Sequence, residues 1–324
     1  MKFNKKVLSA CVLAGLAFSG VASAKSMNMG IVLSKDSHYG KGADVFADEI
    51  KRLSDGKFKV RVKSSGVLGG ERDVIEGLQF GTIDLTITST GPVGNFVPDV
   101  YALDFPFLFN SYQHAHEVLD GPIGQDLLKK FEDKDLIGLA WSENGFRHLT
   151  NSKVSVTKPE QVEGLKLRTM ENEVHMSAFQ DLGAAPTPMS FTELYTALQQ
   201  GTVDGQENPI PVITSSKLYE VQKHVTLTGH VYSPAVILMS KASWSNLDAQ
   251  EKEWFKSAAK ASAEATRKAV AQMEKDGIKL LRDNGVTVVE NVEKADFSSI
   301  IQPTYDKFAA KYGEELINKI KASN

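Results

Sequence analysis

Hydrophobic and polar positions along this chain change period several times. Met27 to Val32 is a short apolar run that predicts a strand. Lys35-Asp-Ser-His-Tyr-Gly40 reads as a turn into a helix over about 41–53, stopped by Ser54-Asp-Gly56. Phe58-Lys-Val-Arg-Val-Lys63 alternates as a half-buried strand does, and a glycine-rich loop over Ser64 to Gly70 precedes a helix from Glu71 to about Phe80. Strand, helix, strand, loop, helix is the opening of an α/β fold.

The chain then repeats itself. Leu78-Gln-Phe-Gly-Thr-Ile-Asp84 returns 120 residues later as Leu198-Gln-Gln-Gly-Thr-Val-Asp204, each copy following an amphipathic helix and preceding a loop with polar side chains. Glycine at a helix end is common stop chemistry. Its recurrence inside a matched heptapeptide suggests two lobes of similar design facing one another.

Between the copies, the aromatic stretch Tyr101 to Phe109 reads as core or lobe-edge packing. Tyr112 to Phe131 is helical with breaks at Gly121-Pro122 and Gly124, and Leu136 to Trp141 is a strand. A turn is predicted at Ser142-Glu-Asn-Gly145, with a lobe crossing near Arg147. Leu165 to Arg168 is strand-like. Val221 to Thr228 and Val231 to Met239 read as two strands with His230 between them. Asp248 caps a helical pattern that continues to about Leu281 and stops at Asn284-Gly285. A helix of that length reaches about 50 Å at ~1.5 Å per residue, longer than one lobe. A strand over Val286 to Val292 and a terminal helix over Pro303 to Lys321 complete the pattern.

The first 24 residues differ from the rest. Lys2, Lys5 and Lys6 precede an apolar run to about Phe18, and Ala22-Ser-Ala24 supplies a small-x-small cleavage site, the make-up of a secretory signal peptide. Cleavage would remove Cys11, the sole cysteine, and take the formal charge from −3 to −6. The exported chain, shorter than the full 324 residues by that leader and without disulfides, must rest on packing. Mild acidity without a basic block gives no electrostatic reason to expect nucleic acid as a partner.

Candidate chemistry concentrates between Gly164 and Pro209, where Arg168, a Pro-Met-Ser-Phe turn, a helix and Gly-Thr-Val-Asp-Gly-Gln-Glu-Asn-Pro follow one another. Charged and amide side chains beside turns suit a small anion, since arginine offers a planar fork to a carboxylate. His114-Ala-His-Glu117 lacks an obvious third ligand, so no metal is expected. Ser257-Ala-Ala-Lys260 matches the penicillin-binding serine spacing without its companion motifs. No phosphate loop, dinucleotide fingerprint or nucleophile elbow appears, so neither catalysis nor a cofactor is expected.

Taken together, Gly69-Gly-Glu-Arg72, Pro106-Phe-Leu-Phe109, Asn144-Gly-Phe-Arg-His-Leu-Thr-Asn151, Gly164 to Thr169, Thr187-Pro-Met-Ser-Phe191 and Leu198 to Pro209 resemble the DctP-type solute-binding subunits of TRAP transporters, the tripartite ATP-independent periplasmic systems for organic acids. The resemblance spans the mature chain. It implies a two-lobed α/β periplasmic binding protein with hinge strands and a long helix behind both lobes, lobe I taking 25–146 plus 233–273 and lobe II 147–232 plus 274–324. It implies a periplasmic location, and a small and a large membrane subunit as partners.

The same resemblance implies that Arg168 is the principal carboxylate-binding arginine, Arg147 a second one, Asn208 the pocket amide and Phe191 the pocket aromatic. Glu71 and Ser89 match positions that often touch the rest of the ligand. Each has a plainer reading too: Arg147 as half of an ion pair at the crossing, Phe191 as core, Glu71 as an acid favoured at a helix start. Glu71 and Glu207, if they face the cleft, would accept from ligand hydroxyls and repel a second carboxylate, favouring sugar acids such as hexuronates or aldonates over C4-dicarboxylates. His38, in the first turn, is a further candidate contact. A C4-dicarboxylate held by Arg147 and Arg168 is the alternative, and a secreted hydrolase using His and Glu side chains the distant one.

Overall fold

In a computed structural model, which describes residues 24–323, nine strands form one mixed sheet. The predicted leader up to Ser23 lies outside the described residues. The strands are β1 (Lys25–Gly30), β2 (Phe58–Lys63), β3 (Leu85–Ser89), β4 (Leu136–Asn151), β5 (Lys166–Thr169), β6 (Ala185–Pro188), β7 (Gly205–Pro209), β8 (His224–Ser240) and β9 (Thr287–Val289). Their order is β2-β1-β3-β8-β4-β7-β5-β6, with β9 beside β8.

One half of the sheet copies the other. β1 lies parallel between β2 and β3, and β5 lies parallel between β6 and β7. The heptapeptide repeat marks the copied corner. Helices Glu71–Gln79 and Phe191–Gln199 end just before Gly81 and Gly201, whose φ of +71° and +69° a side chain would strain. The aspartates that follow tie the corner to the first strand of each half. Asp84 Oδ2 accepts from Asn28 N at 2.8 Å, and Asp204 Oδ2 from Lys166 N at 3.0 Å.

Two strands cross between the lobes. The turn expected at Ser142 to Gly145 is instead the middle of β4, and the break expected at His230 lies inside β8. Polar residues there do not face solvent: Ser142, Glu143 and Asn144 are buried at the crossing and need partners within the protein. Gly145, with φ +119°, sits at one of three register shifts that bend β4 against β8.

Helix Ala249–Asp283 starts at Asp248 as expected, Asp248 Oδ1 accepting from Glu251 N and Glu251 Oε2 from Asp248 N. Its Phe255, Ala258 and Ala259 join the core around Met27, Phe46 and Ile237, whereas Leu281 joins the core around Leu194 and Ile213. One helix thus closes the hydrophobic face of both lobes. The expected strand over 286–292 shrinks to β9, and the terminal helix is three: Lys294–Ile300, Gln302–Tyr312 and Glu314–Ala322. Gly313, at φ +110°, separates the last two. This tail packs on both sides of the crossing, Tyr312 against Tyr101 and Thr304 against Ser177 and Asp181.

Candidate functional site

The carboxyl ends of β1, β3, β5 and β7 converge on a cleft between the lobes, the usual location for ligands in open α/β sheets. An inner chamber, a narrow space with its mouth open to solvent, is walled by Val32, Leu33, Tyr39, Glu71, Ser89, Asn144, Arg168, Met170, Phe191, Asn208 and Val212. A cleft of about 220 Å³ shares Glu71, Arg168, Met170 and Phe191 with it and includes Arg72 and Glu171. Arg72 reaches Glu171 of the opposite lobe at 3.3 Å and Asn95 Nδ2 donates to the Glu171 carbonyl at 2.7 Å, so the lobes are drawn together at this rim.

Arg168 stands one residue before the end of β5 with 2% of its surface exposed. Nε and Nη2 donate to the Met189 carbonyl at 3.1 and 2.8 Å, which fixes the guanidinium plane, and the Phe191 ring lies 5.9 Å from its centre. Nη1 has no hydrogen-bond partner and no carboxylate pairs with Arg168 among the described residues. Burial, with Arg147 nearby, pulls its pKa down to about 10, still charged at neutral pH. Glu207, Glu71 and Glu171 favour its charge only from a distance, and an anion in direct contact would further offset the cost of burying it.

Glu71 opens its helix where the dipole favours an acid. Its Oε1 accepts from Thr88 Oγ1, Ser89 N and Ser89 Oγ at 3.0, 3.0 and 2.9 Å. Ser89 therefore holds the carboxylate in place while also lining the chamber. Opposite, Phe191 opens the copied helix and Asn208 stands near the end of the copied strand, so the two halves contribute equivalent positions with different chemistry.

Arg147, Glu207 and His38 are not among the residues that wall this chamber, although Arg147 Nη1, like Arg168 Nη1, is buried without a hydrogen-bond partner. Arg147 and Glu207 are both fully buried, and Glu207 receives Nε and Nη2 of Arg147 on its two carboxylate oxygens at 2.5 and 2.8 Å. Arg147 Nη2 also reaches the Glu207 carbonyl and Asn208 Oδ1, and His230 Nε2 lies 3.1 Å from Glu207 Oε2. Burial opposes charge on Glu207, yet Arg147 and His230 hold its carboxyl well below the usual range. This is an ion pair at the crossing, behind the chamber wall. His38 is also fully buried; its Nε2 lies 3.1 Å from Asn144 Oδ1, and burial pulls its pKa down to about 4, leaving it neutral.

The turn singled out for His38 does reach the chamber, through its neighbour Tyr39, whose hydroxyl is buried without a partner among the described residues. Tyr39, Asn144 and Met170 also wall the chamber; Tyr39 follows His38 in the same turn, and the polar stretch around Asn144 has the composition of a turn, which hides its place in the wall. His114 and His116 stand apart, bonding the Ile320 carbonyl and Glu143.

Residues 29–312 match the model of a family described as bacterial extracellular solute-binding protein, family 7. The chain belongs to this family. A solute-binding protein of Verminephrobacter eiseniae is 46% identical over 93% of this chain and 90% of its own. The crystal structure of a TRAP periplasmic solute-binding protein from Polaromonas, bound to D-erythronate, superposes with a TM-score of 0.91 at 52% identity, covering 92% of this chain and 98% of that one. The sugar acid binding protein DctPAm of Advenella mimigardefordensis, in complex with galactonate, gives 0.90 at 41% identity over 93% and 97%. The two-lobed fold and the TRAP solute-binding role expected from the motifs are those of the family 7 proteins, which bind solutes rather than transform them. Among the described residues no helix is long and apolar enough to cross a membrane.

Proposed function

We propose that this family 7 protein captures a small hydroxylated monocarboxylate, a sugar acid of the aldonate or hexuronate kind, in the periplasm and delivers it to a small and a large TRAP membrane subunit. The observation that carries the ligand class is the contrast between two buried arginines. Arg147 already has a carboxylate in Glu207, whereas Arg168 has none and faces the chamber. One buried guanidinium with an unpartnered Nη1 and no acid bonded to it suits one carboxylate. Glu71 and Tyr39 line the same chamber and offer an acceptor and a hydroxyl to ligand hydroxyls, and the Glu71 charge disfavours a second carboxylate. The Polaromonas and Advenella structures hold ligands of this chemistry.

We take the hinge to lie between lobe I (25–146 and 233–273) and lobe II (147–232 and 274–324), at the β4 and β8 crossing. A ligand that touches Glu71 on one side and Arg168 on the other binds the closed form better, which is what shifts an open-closed equilibrium. Thermal denaturation with D-erythronate, D-galactonate, D-galacturonate and succinate tests the ligand class. A rise in melting temperature with the hydroxy acids is expected. Stabilisation by succinate alone would overturn the sugar-acid reading in favour of a C4-dicarboxylate.

A further inference from the structure

Behind Asn208 the side chains form a string of hydrogen bonds that all point one way. Arg147 Nη2 donates to Asn208 Oδ1 at 3.2 Å, Asn208 Nδ2 to Gln206 Oε1, Gln206 Nε2 to Thr150 Oγ1 at 3.0 Å, and Thr150 Oγ1 to Gln222 Oε1 at 2.7 Å. Gln222 Nε2 then donates to the carbonyls of Val221 at 2.9 Å and Asp204 at 3.4 Å. The β4–β7 register sets Thr150 directly opposite Gln206, and all five side chains are at most 4% exposed.

Both ends of the string have fixed polarity. A guanidinium only donates and a peptide carbonyl only accepts, so the amides and the hydroxyl between them have one consistent orientation. Reversing it would set N–H against guanidinium at one end and oxygen against carbonyl oxygen at the other. Asn208 must therefore turn its oxygen to Arg147, one N–H to Gln206, and keep its second N–H as the donor it can offer. Successive bonds in a one-way string polarise each other, strengthening that last donor.

We propose that Gln206, Thr150 and Gln222 are positioning residues for the ligand, acting through Asn208 to present an N–H to an acceptor oxygen of the bound acid. The inference rests on the reading of Asn208 as a ligand contact. Thr150 is its critical link, because its hydroxyl accepts from Gln206 and donates to Gln222, and valine of nearly the same shape does neither. With the link cut, the amides beyond it are free to turn, and Asn208 no longer has a defined face toward the cleft.

The test is a double-mutant cycle in ligand affinity, by calorimetry with whichever of D-erythronate, D-galactonate and D-galacturonate gives the largest thermal shift. Thr150→Val should weaken binding about tenfold, and Thr150→Ser, which keeps the hydroxyl, should stay within about threefold of the parent. In an Asn208→Ala background Thr150→Val should cost no more than about twofold, since the residue it acts through is gone. An equal loss in both backgrounds would overturn the proposal, because Thr150 would then act through general loosening of the lobe. Asn208→Ala without any loss would remove Asn208 from the site, and the reading beneath the proposal with it.

Discussion

Removing the carboxylate of Glu207 exposes what the crossing depends on. Arg147 and Glu207 have no measurable exposure, and both carboxylate oxygens take guanidinium bonds while His230 approaches one of them. Glu207→Ala leaves a permanently charged guanidinium buried with only the Glu207 carbonyl and Asn208 Oδ1 as acceptors. Breaking a buried pair in this way costs about 3–5 kcal/mol. For a chain of this size that lowers the melting temperature by about 10 °C. Glu207→Gln keeps one acceptor oxygen and should lose about half as much. Urea denaturation at pH 7 followed by circular dichroism measures both. A loss below about 1 kcal/mol for Glu207→Ala would refute the reasoning, since it would mean that water or another acid reaches Arg147. The pH dependence gives a second check. Glu207 is held below its ordinary value in the folded protein, so its contribution is complete above the usual carboxylate range and fades as pH falls through the depressed value. Parent and alanine variant should differ at pH 7 and converge only in strong acid.

Arg168→Lys removes the planar fork while keeping the charge, and should weaken sugar-acid binding roughly ten- to a hundredfold in calorimetry; unchanged affinity would take Arg168 out of the site. Burial, opposed by the Tyr112 hydroxyl and reinforced by Glu143, pushes the Glu274 carboxyl up to about 7. The folded protein therefore binds that proton more tightly than the unfolded chain, and stability falls as pH rises from the ordinary carboxylate range through 7. Glu274→Gln should match the parent near pH 4 and exceed it at pH 8 by up to about 3 kcal/mol in denaturant titrations; a gain of the same size at both pH values would contradict this. A Cβ on Gly42 would lie 2.1 Å from Thr266 Oγ1 and 3.2 Å from Ser262 O. Gly42→Ala should accordingly destabilise by about 1–3 kcal/mol in urea by prying the long helix from its neighbour, and an unaltered midpoint would show that Thr266 simply turns aside.

What sequence could reveal followed the range of the interactions. The helix ends, the capped long helix and the repeated corner are local, and their residues announce them: Asp248 with Glu251, Gly81 with Gly201. Arg168, Phe191, Asn208, Glu71 and Ser89 came from motif resemblance, and all five line one chamber. The pairing of Arg147 with Glu207 is not legible in sequence because it depends on β4–β7 register, which sets Leu149 opposite Glu207 and Arg147 opposite Pro209. No local pattern encodes that alignment. The crossing strands are illegible in the sequence for a related reason. Ser142 to Gly145 has the composition of a turn, and only burial between two lobes, with His38, His116 and Tyr232 as partners, makes those residues strand.

Placing β8 between β3 and β4 has a consequence for how the chain acquires its structure. Leu85 on β3 pairs with Met239, and Leu136 on β4 with Ser240, so the first half of the sheet lacks its central strand until residue 240 is present. A chain emerging from its N-terminus can assemble β2, β1 and β3, but β3 then presents a bare edge able to pair with another molecule. Such long-range closure is slow and prone to aggregation. Truncation anywhere before Ser240 should accordingly yield sticky fragments and not an independent first lobe. The order of strands makes the arrival of β8, rather than of the first three strands, the event that lets the sheet close.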